Sequence, residues 1–300
     1  MIDTLNVLIS GARDGCLYGL LALAIVLIYK STGILNFALP NLGMVGAVTL
    51  QALIGASLAP PLAFLLAFGA AIVLGLAIER LALRPVQSAP PTSRMIVSLA
   101  AATLIESVVA LFWGSNREGV VTFPFFDTTP FSLGNTGILI APLDLAALAS
   151  CLLIAGGLYL FFRVTTIGIA VRACAERPES VGLLGISQQR IALLSWSAGA
   201  LIATLAACFF AADQGSIDPT FMENALVWAL LAATLGSLTS LWGALLGGII
   251  LGMADQGIQL LSPGGFDLGS YHRPALFMAL IVLLMARKRG LFSDERARQV

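Results

Sequence analysis

The sequence predicts an all-α polytopic membrane protein with about eight membrane segments, one of them broken. Three observations carry that prediction. The 300 residues are 58% hydrophobic, with a mean hydropathy of +0.95. Only 11% are charged, against about 25% in soluble domains. Several apolar stretches approach the roughly 20 residues needed to span about 30 Å of hydrocarbon. No soluble core could hide so much apolar surface, so lipid is the main solvent.

Taken in order, the apolar segments run from Gly15 to Ile28, Leu42 to Ser57, Pro60 to Ile78, Met95 to Trp113, Ile138 to Phe162, Ile191 to Ala212, Ala225 to Met253 and Pro274 to Ala286. The polar punctuation between them is short, which leaves a single transmembrane domain over residues 1–300. Met1 to Ala12 contains Asp3 and no Lys or Arg, so a cleaved signal peptide is not expected and the first segment should stay as a helix. The four cysteines, Cys16, Cys151, Cys174 and Cys208, lack metal-ligand or paired spacing and read as small apolar fillers. A net charge of zero gives no reason to expect nucleic acid.

Twelve of the sixteen Lys and Arg residues fall in three places: Arg80, Arg84 and Arg94; Arg163, Arg172, Arg177 and Arg190; and the tail from Arg287 to Arg298. Basic residues accumulate on the cytoplasmic side, so these three stretches lie inside and the acid-bearing loops at Asn116 to Thr136 and Asp213 to Glu223 lie outside. Parity then constrains Ala225 to Met253. With Arg190 and the tail both inside, and Ile191 to Ala212 and Pro274 to Ala286 each crossing once, this segment crosses zero or two times. Its middle, Gly236-Ser237-Leu238-Thr239-Ser240-Leu241-Trp242-Gly243, is small and polar enough to break a helix. Each flanking leg is about 11 residues, or roughly 16 Å at 1.5 Å per residue, which predicts a re-entrant pair of half-helices. Irregular backbone at membrane depth needs protein or a water-filled cavity beside it, so Gly236, Ser237 and Thr239 are assigned to a translocation pathway.

A second interruption runs from Ser31 to Asn41. Pro40 removes a backbone donor and Gly33 weakens the helix. Paired broken segments point to a transport site, which adds Asn36, Phe37 and Asn41 to the pathway; the alternative is a plain cytoplasmic turn after Tyr29-Lys30. Glu106 sits mid-segment, where a charge costs on the order of 3 kcal/mol or more unless paired or neutral. It is expected to face other helices with a polar neighbour in reach, as a pathway group or as a packing residue. Asp144, nearer a segment end, reads as interfacial. His272, the sole histidine, has no partners for a metal site or a triad. Gly243, Gly247, Gly248 and Gly252 have the small-xxx-small spacing that lets helices approach closely.

Neither lysine, Lys30 or Lys288, follows a G-x-x-x-x-G loop, so the chain cannot cradle a triphosphate in the P-loop manner. Any ATP-driven step therefore belongs to a separate subunit. The candidate docking surface is the inner loop over residues 163–190, with Glu176, Arg177, Pro178, Glu179, Gly182, Leu183, Gly185 and Ile186 as coupling residues. Pro178 can open a short helix, Glu179 suits its N-terminal dipole, and the glycines close it.

The run from Thr165 to Ile186, of the form T-x-x-G-x-x-x-R-A-x-x-x-x-P-E-x-x-x-L-x-G-I, resembles the cytoplasmic coupling region of LivH/LivM-type permeases of branched-chain amino-acid ABC importers. Three further stretches agree: Gly19 to Ala47 with Gly33-Ile34-Leu35-Asn36-Phe37-Ala38, Leu235 to Gly252, and Arg289-Gly290-Leu291-Phe292. The similarity covers nearly the whole chain in order and favours the LivH side. It implies a multi-pass protein of the bacterial inner membrane, working with a LivM-like second permease, two cytoplasmic ATPases that bind the ATP, and an extracytoplasmic solute-binding protein. No cofactor is implied in this chain. The family usually follows Asn-Phe-Ala with His-Gly, whereas Leu39-Pro40 stands here. Substrate identity thus stays open between branched-chain amino acids and the urea, small amides or other amino acids that relatives serve. A secondary transporter or channel would need its own ion-coupling groups, and a membrane-embedded enzyme would need acid pairs or histidine clusters; the sequence supplies neither set.

Overall fold

The structure, a computed structural model, describes residues 2–114, 129–132, 139–176 and 187–259, and single positions between 274 and 285. Nine α-helices are described with both ends: α1 Ile2–Thr32, α2 Leu39–Gly55, α3 Pro60–Ile78, α4 Pro91–Trp113, α5 Pro142–Val164, α6 Thr166–Glu176, α7 Gln188–Gln214, α8 Phe221–Gly236 and α9 Leu241–Gln259; the described positions between 274 and 285 are helical as well. Six are long and apolar enough to cross a membrane, and α2 and α8 are shorter apolar helices. The chain is thus a multi-pass membrane protein. Two residues of strand on each side, β1 Phe131–Ser132 and β2 Leu139–Ile140, pair antiparallel just before α5, a feature absent from the sequence expectation.

At the centre stands α1. From Gly19 to Ile28 every residue is buried, because the helix is apolar all round and finds neighbours all round. Its main partner is α9, with α5, α7 and α8 completing the ring. A Cβ built on Gly248 would lie 2.6 Å from the Gly19 Cα, one on Gly15 would lie 2.6 Å from the Ile249 Cα, and one on Gly252 would run into the backbone of Gly11 and Gly15. Two glycine stripes, Gly11-Gly15-Gly19 and Gly248-Gly252, therefore let two antiparallel backbones touch. Only the stripe on α9 stood out in the sequence.

Around this core the same device recurs. Gly43 and Gly46 of α2 abut Ala203 and Thr204 of α7, and α3 buries a stripe of Ala63, Ala67, Ala71 and Gly75 at four-residue spacing while exposing Leu62, Leu65, Leu66 and Val73. Exposed leucines and phenylalanines on α4 and α5 continue that outer apolar surface, as a lipid solvent allows. Aromatic rings fill the joint between α1, α7 and α8, with Tyr18 at 5.6 Å from Trp228 and 5.8 Å from Phe210. Cys16, Cys151 and Cys208 are buried free thiols, consistent with the filler reading.

The expected break falls between α8 and α9, at Ser237–Ser240. Its legs are longer than expected, 16 and 19 residues, or roughly 24 and 28 Å. They approach full crossings, which still satisfies parity. Polar residues at the far ends, Glu223 and Asp255 among them, had shortened the apolar window without ending the helices.

Replacing Gly248 or Gly252 by Leu should destabilise the protein by about 1–3 kcal/mol or more, since backbone atoms on α1 cannot swing aside. Gly69→Leu, on the open side of α3 with nothing within 4 Å of its Cβ, should have little effect. Thermal unfolding in detergent compares the three; equal melting temperatures would refute the seam.

Candidate functional site

Two broken stretches and the polar groups around them make up the candidate pathway. The first is the turn between α1 and α2. Gly33, at φ +71, takes the left-handed conformation that ends α1, and its N–H donates to the Tyr29 carbonyl at 2.8 Å, an arrangement suited to glycine. Pro40 stands in the first turn of α2, where its missing N–H matters least. That is a structural reason for the Leu39-Pro40 sequence. Between these points the chain is held by side chains: the Asn36 Oδ1 accepts from the Ala38 N–H at 3.0 Å, and the Phe37 N–H donates to the Ser98 Oγ at 3.2 Å. Because Ser98 lies two turns into α4, this backbone turns at membrane depth.

Asn41 and Glu106 meet here. The Asn41 amide donates to the Ala102 carbonyl at 3.0 Å and to the Glu106 Oε1 at 2.9 Å. Ala102 is the middle residue of the 23-residue α4, so the pair sits near the centre of the bilayer. The expectation that Glu106 has a polar partner within the bundle is met. Pairing satisfies one oxygen where an isolated carboxyl would be costly.

The second break is compact. Ser237 is buried and adopts φ +82, a conformation costing a non-glycine residue on the order of 1–3 kcal/mol. Its hydroxyl is 2.8 Å from that of Thr239, and the Ser240 Oγ accepts from the Gly243 N–H at 3.0 Å, so the hydroxyls supply what the interrupted helix lacks. Gly236 packs directly on the Gly243 carbonyl. Thr239 is exposed. No hydrogen bond joins this group to Asn36, Asn41 or Glu106 among the described residues; the predicted pathway residues form two clusters.

Of the coupling residues, Glu176 is the last residue of α6, and Arg177, Pro178, Glu179, Gly182, Leu183, Gly185 and Ile186 lie outside the described residues, as does the short helix expected over residues 175–187. What is seen is α6 just before them. It buries Ala170 and Val171, exposes Ile167 and Ile169, and folds back onto the end of α5, where Gly168 abuts the Phe161 and Phe162 backbone. His272 also lies outside the described residues.

One cluster escaped the sequence reading. At the acid-bearing end, the Arg13 guanidinium meets Asp14 at 2.9 Å, Asp213 at 2.9 Å and Asp144 at 3.2 Å, and the Gln256 amide donates to Asp14 at 2.8 Å. Asp144 also caps α5 by accepting from the Ala141 N–H at 2.9 Å. The residue read as interfacial is thus a buried member of a network joining α1, α5, α7 and α9.

Over residues 7–286 the chain matches the family described as the permease component of branched-chain amino acid transport systems. The chain belongs to this family. The permease is 29% identical to the high-affinity branched-chain amino acid transport system permease protein BraD of Pseudomonas aeruginosa, covering 99% of this chain and 98% of that protein. It is 28% identical to LivH of Escherichia coli K12, covering 99% and 97%. It is 30% identical to a probable LivH permease of Methanocaldococcus jannaschii, covering 91% and 87%. Both breaks lie within the residues that match this family.

Two stability measurements test these contacts. A double-mutant cycle between Asn41→Ala and Glu106→Ala should return a coupling of about 0.6 kcal/mol, the average for interhelical hydrogen bonds in a membrane protein, and at most about 1.7; zero coupling would dissolve the pair. Arg13→Ala, which strands three carboxylates, should cost about 3–5 kcal/mol, and Arg13→Lys distinctly less.

Proposed function

We propose that this permease is one of two membrane subunits of an ATP-driven importer of branched-chain amino acids in a bacterial inner membrane. The observation that carries the reading is full-length similarity to permeases named for that substrate class. Supporting it are two interrupted segments among long apolar helices, joints held by side-chain hydrogen bonds at which neighbouring helices can tilt separately. The path is lined by Asn36, Phe37, Asn41, Glu106, Gly236, Ser237 and Thr239. Gly236 and Ser237 form the joint at which α8 and α9 can pivot, and the Asn41–Glu106 pair gives a polar point on an apolar wall.

ATP is bound and hydrolysed by two separate cytoplasmic ATPase subunits, since the chain has no phosphate-binding loop of its own. Their closing is transmitted through the 163–190 loop. The placement of α6 favours this: docked through Gly168 on the end of α5 and also packed on α1, it gives a push on Glu176 to Ile186 a short, stiff route into the bundle. A second permease like LivM and an extracytoplasmic binding protein complete the assembly, and the binding protein carries most of the selectivity. Urea, amides or other amino acids are the alternative substrates, because Leu39-Pro40 departs from the family's usual residues.

The test is ATP-dependent uptake of radiolabelled leucine into proteoliposomes holding the complete importer, with isoleucine and valine as competitors. Uptake without ATP, or none of these amino acids with uptake of urea, would reject the reading. Gly182→Leu or Glu179→Lys should leave the membrane fold intact and ATP hydrolysis running while uptake falls. Assembly and transport at wild-type rates would move the coupling role elsewhere.

A further inference from the structure

The basic end of the bundle holds a partly open cavity of about 240 Å³, bounded by the end of α1 and the turn after it, the end of α3, and the first two or three turns of α4 and α7. The end of α3 is unusual. Glu79–Leu83 form a π-helical turn followed by the 3-10 turn Arg84–Val86. Pro85 explains it: it has no N–H to donate to the carbonyl four residues back and its ring collides with that oxygen, and widening the turn relieves the clash. The wider turn carries Glu79 inward, where it is 3% exposed.

Three cavity-lining side chains hold a polar atom with no hydrogen-bond partner among the described residues: the Asn36 Nδ2, the Glu79 Oε2 and the Arg94 Nε. Asn36 is 5% exposed. Buried polar atoms are nearly always paired, and a carboxylate oxygen without a hydrogen bond at that depth is costly even with the Arg80 and Arg84 charges near it. The set contains two donors, one of them cationic, and an anionic acceptor. Arg84 adds a second positive charge to the lining, while Ile28, Ile34, Leu35 and Trp196 give an apolar wall. Glu79 repels a plain anion, and the two arginines repel a plain cation. A small molecule bearing both charges and an aliphatic group answers every wall. The volume is below the roughly 300–1,000 Å³ of pockets for drug-sized ligands, which sets the size at a single amino acid.

We infer that this cavity binds the zwitterion of an aliphatic α-amino acid, its ammonium on Glu79 and its carboxylate on Arg94 and Asn36. The inference rests on the permease reading and deepens it, placing a solute site inside one subunit at the cytoplasmic end. A bound amino acid there ties the α1–α2 turn to α3, α4 and α7.

The test uses the complete importer in lipid nanodiscs, without binding protein or ATP, and radiolabelled leucine as probe. Glu79→Gln should weaken leucine binding by about tenfold or more, the loss expected for a charged hydrogen bond, while 4-methylpentanoate, which lacks the ammonium, loses nothing and binds the variant at least as well as wild type because the repelling charge is gone. Arg94→Gln should do the same with 3-methylbutylamine, which lacks the carboxylate. Glu79→Asp should restore part of the leucine affinity. Should these variants fail to fold, Ser31→Cys on the cavity wall provides a second readout: leucine should protect it from a small thiol reagent, and neither analogue should. Unchanged leucine binding in Glu79→Gln and Arg94→Gln, or no protection of Ser31→Cys, overturns the site and leaves the cavity to water alone. The uptake assay separates the two claims. Leucine uptake by the importer with no binding in the cavity overturns only this inference. Cavity binding without leucine uptake upholds the site and removes the transport reading.

Discussion

Backbone contact between α1 and α9 is the constraint on which the rest of the bundle depends. Lipid tails are as apolar as leucine, so no hydrophobic force draws two membrane helices together. Association comes from packing, and packing is densest where glycine lets one backbone lie on another. The Gly11-Gly15-Gly19 and Gly248-Gly252 stripes fix the register of α9 against α1. That register brings Gln256 to Asp14 and sets Leu245 against Gly19, which holds the start of α9 and its break against the central helix. Gly247, on another face of α9, rests on the Ala232 carbonyl of α8. One helix thus carries two seams, and the joint at Ser237 lies between the pieces they hold.

Both breaks obey the rule that backbone polar groups packed away from water must find partners nearby. Side-chain oxygens act as the substitutes: Asn36, Ser98, Ser237 and Ser240 each accept a main-chain N–H. None of these bonds extends a helix through the gap, so the segments on either side keep the freedom to tilt separately. A joint of this kind is stable in place and still compliant, which a solute path needs.

The sequence made legible whatever depends on local composition or on counting. Parity and the run from Gly236 to Gly243 located the second break; Gly33 and Pro40 located the first; the cost of a charge in hydrocarbon foretold a partner for Glu106. The partner's identity was not legible, since Asn41 lies 65 residues away and only the fold joins them. The same holds for Arg13 with Asp144, at a separation of 131. Gly11, Gly15 and Gly19 have a readable spacing, but spacing alone does not name the facing helix. The leg lengths were misjudged for a physical reason: a hydropathy window ends at the first acidic residues, whereas a helix continues past them once its end reaches water or an ion network.

Tight contact and open structure are unevenly distributed along the bundle axis. At the acid-bearing end, α1, α5 and α7 are clamped by one guanidinium among three carboxylates, with α9 tied on through Gln256, and pulling α5 or α7 away would leave uncompensated charge in a low-dielectric setting. At the basic end there is instead a π turn, a turn of non-helical chain after α1, a cavity and the docked α6. An applied displacement is absorbed where the fewest bonds resist it. A push delivered at the α5–α6 corner therefore meets compliant structure first and the ion clamp last. The basic end should rearrange about the α1–α9 seam while the opposite end keeps its contacts.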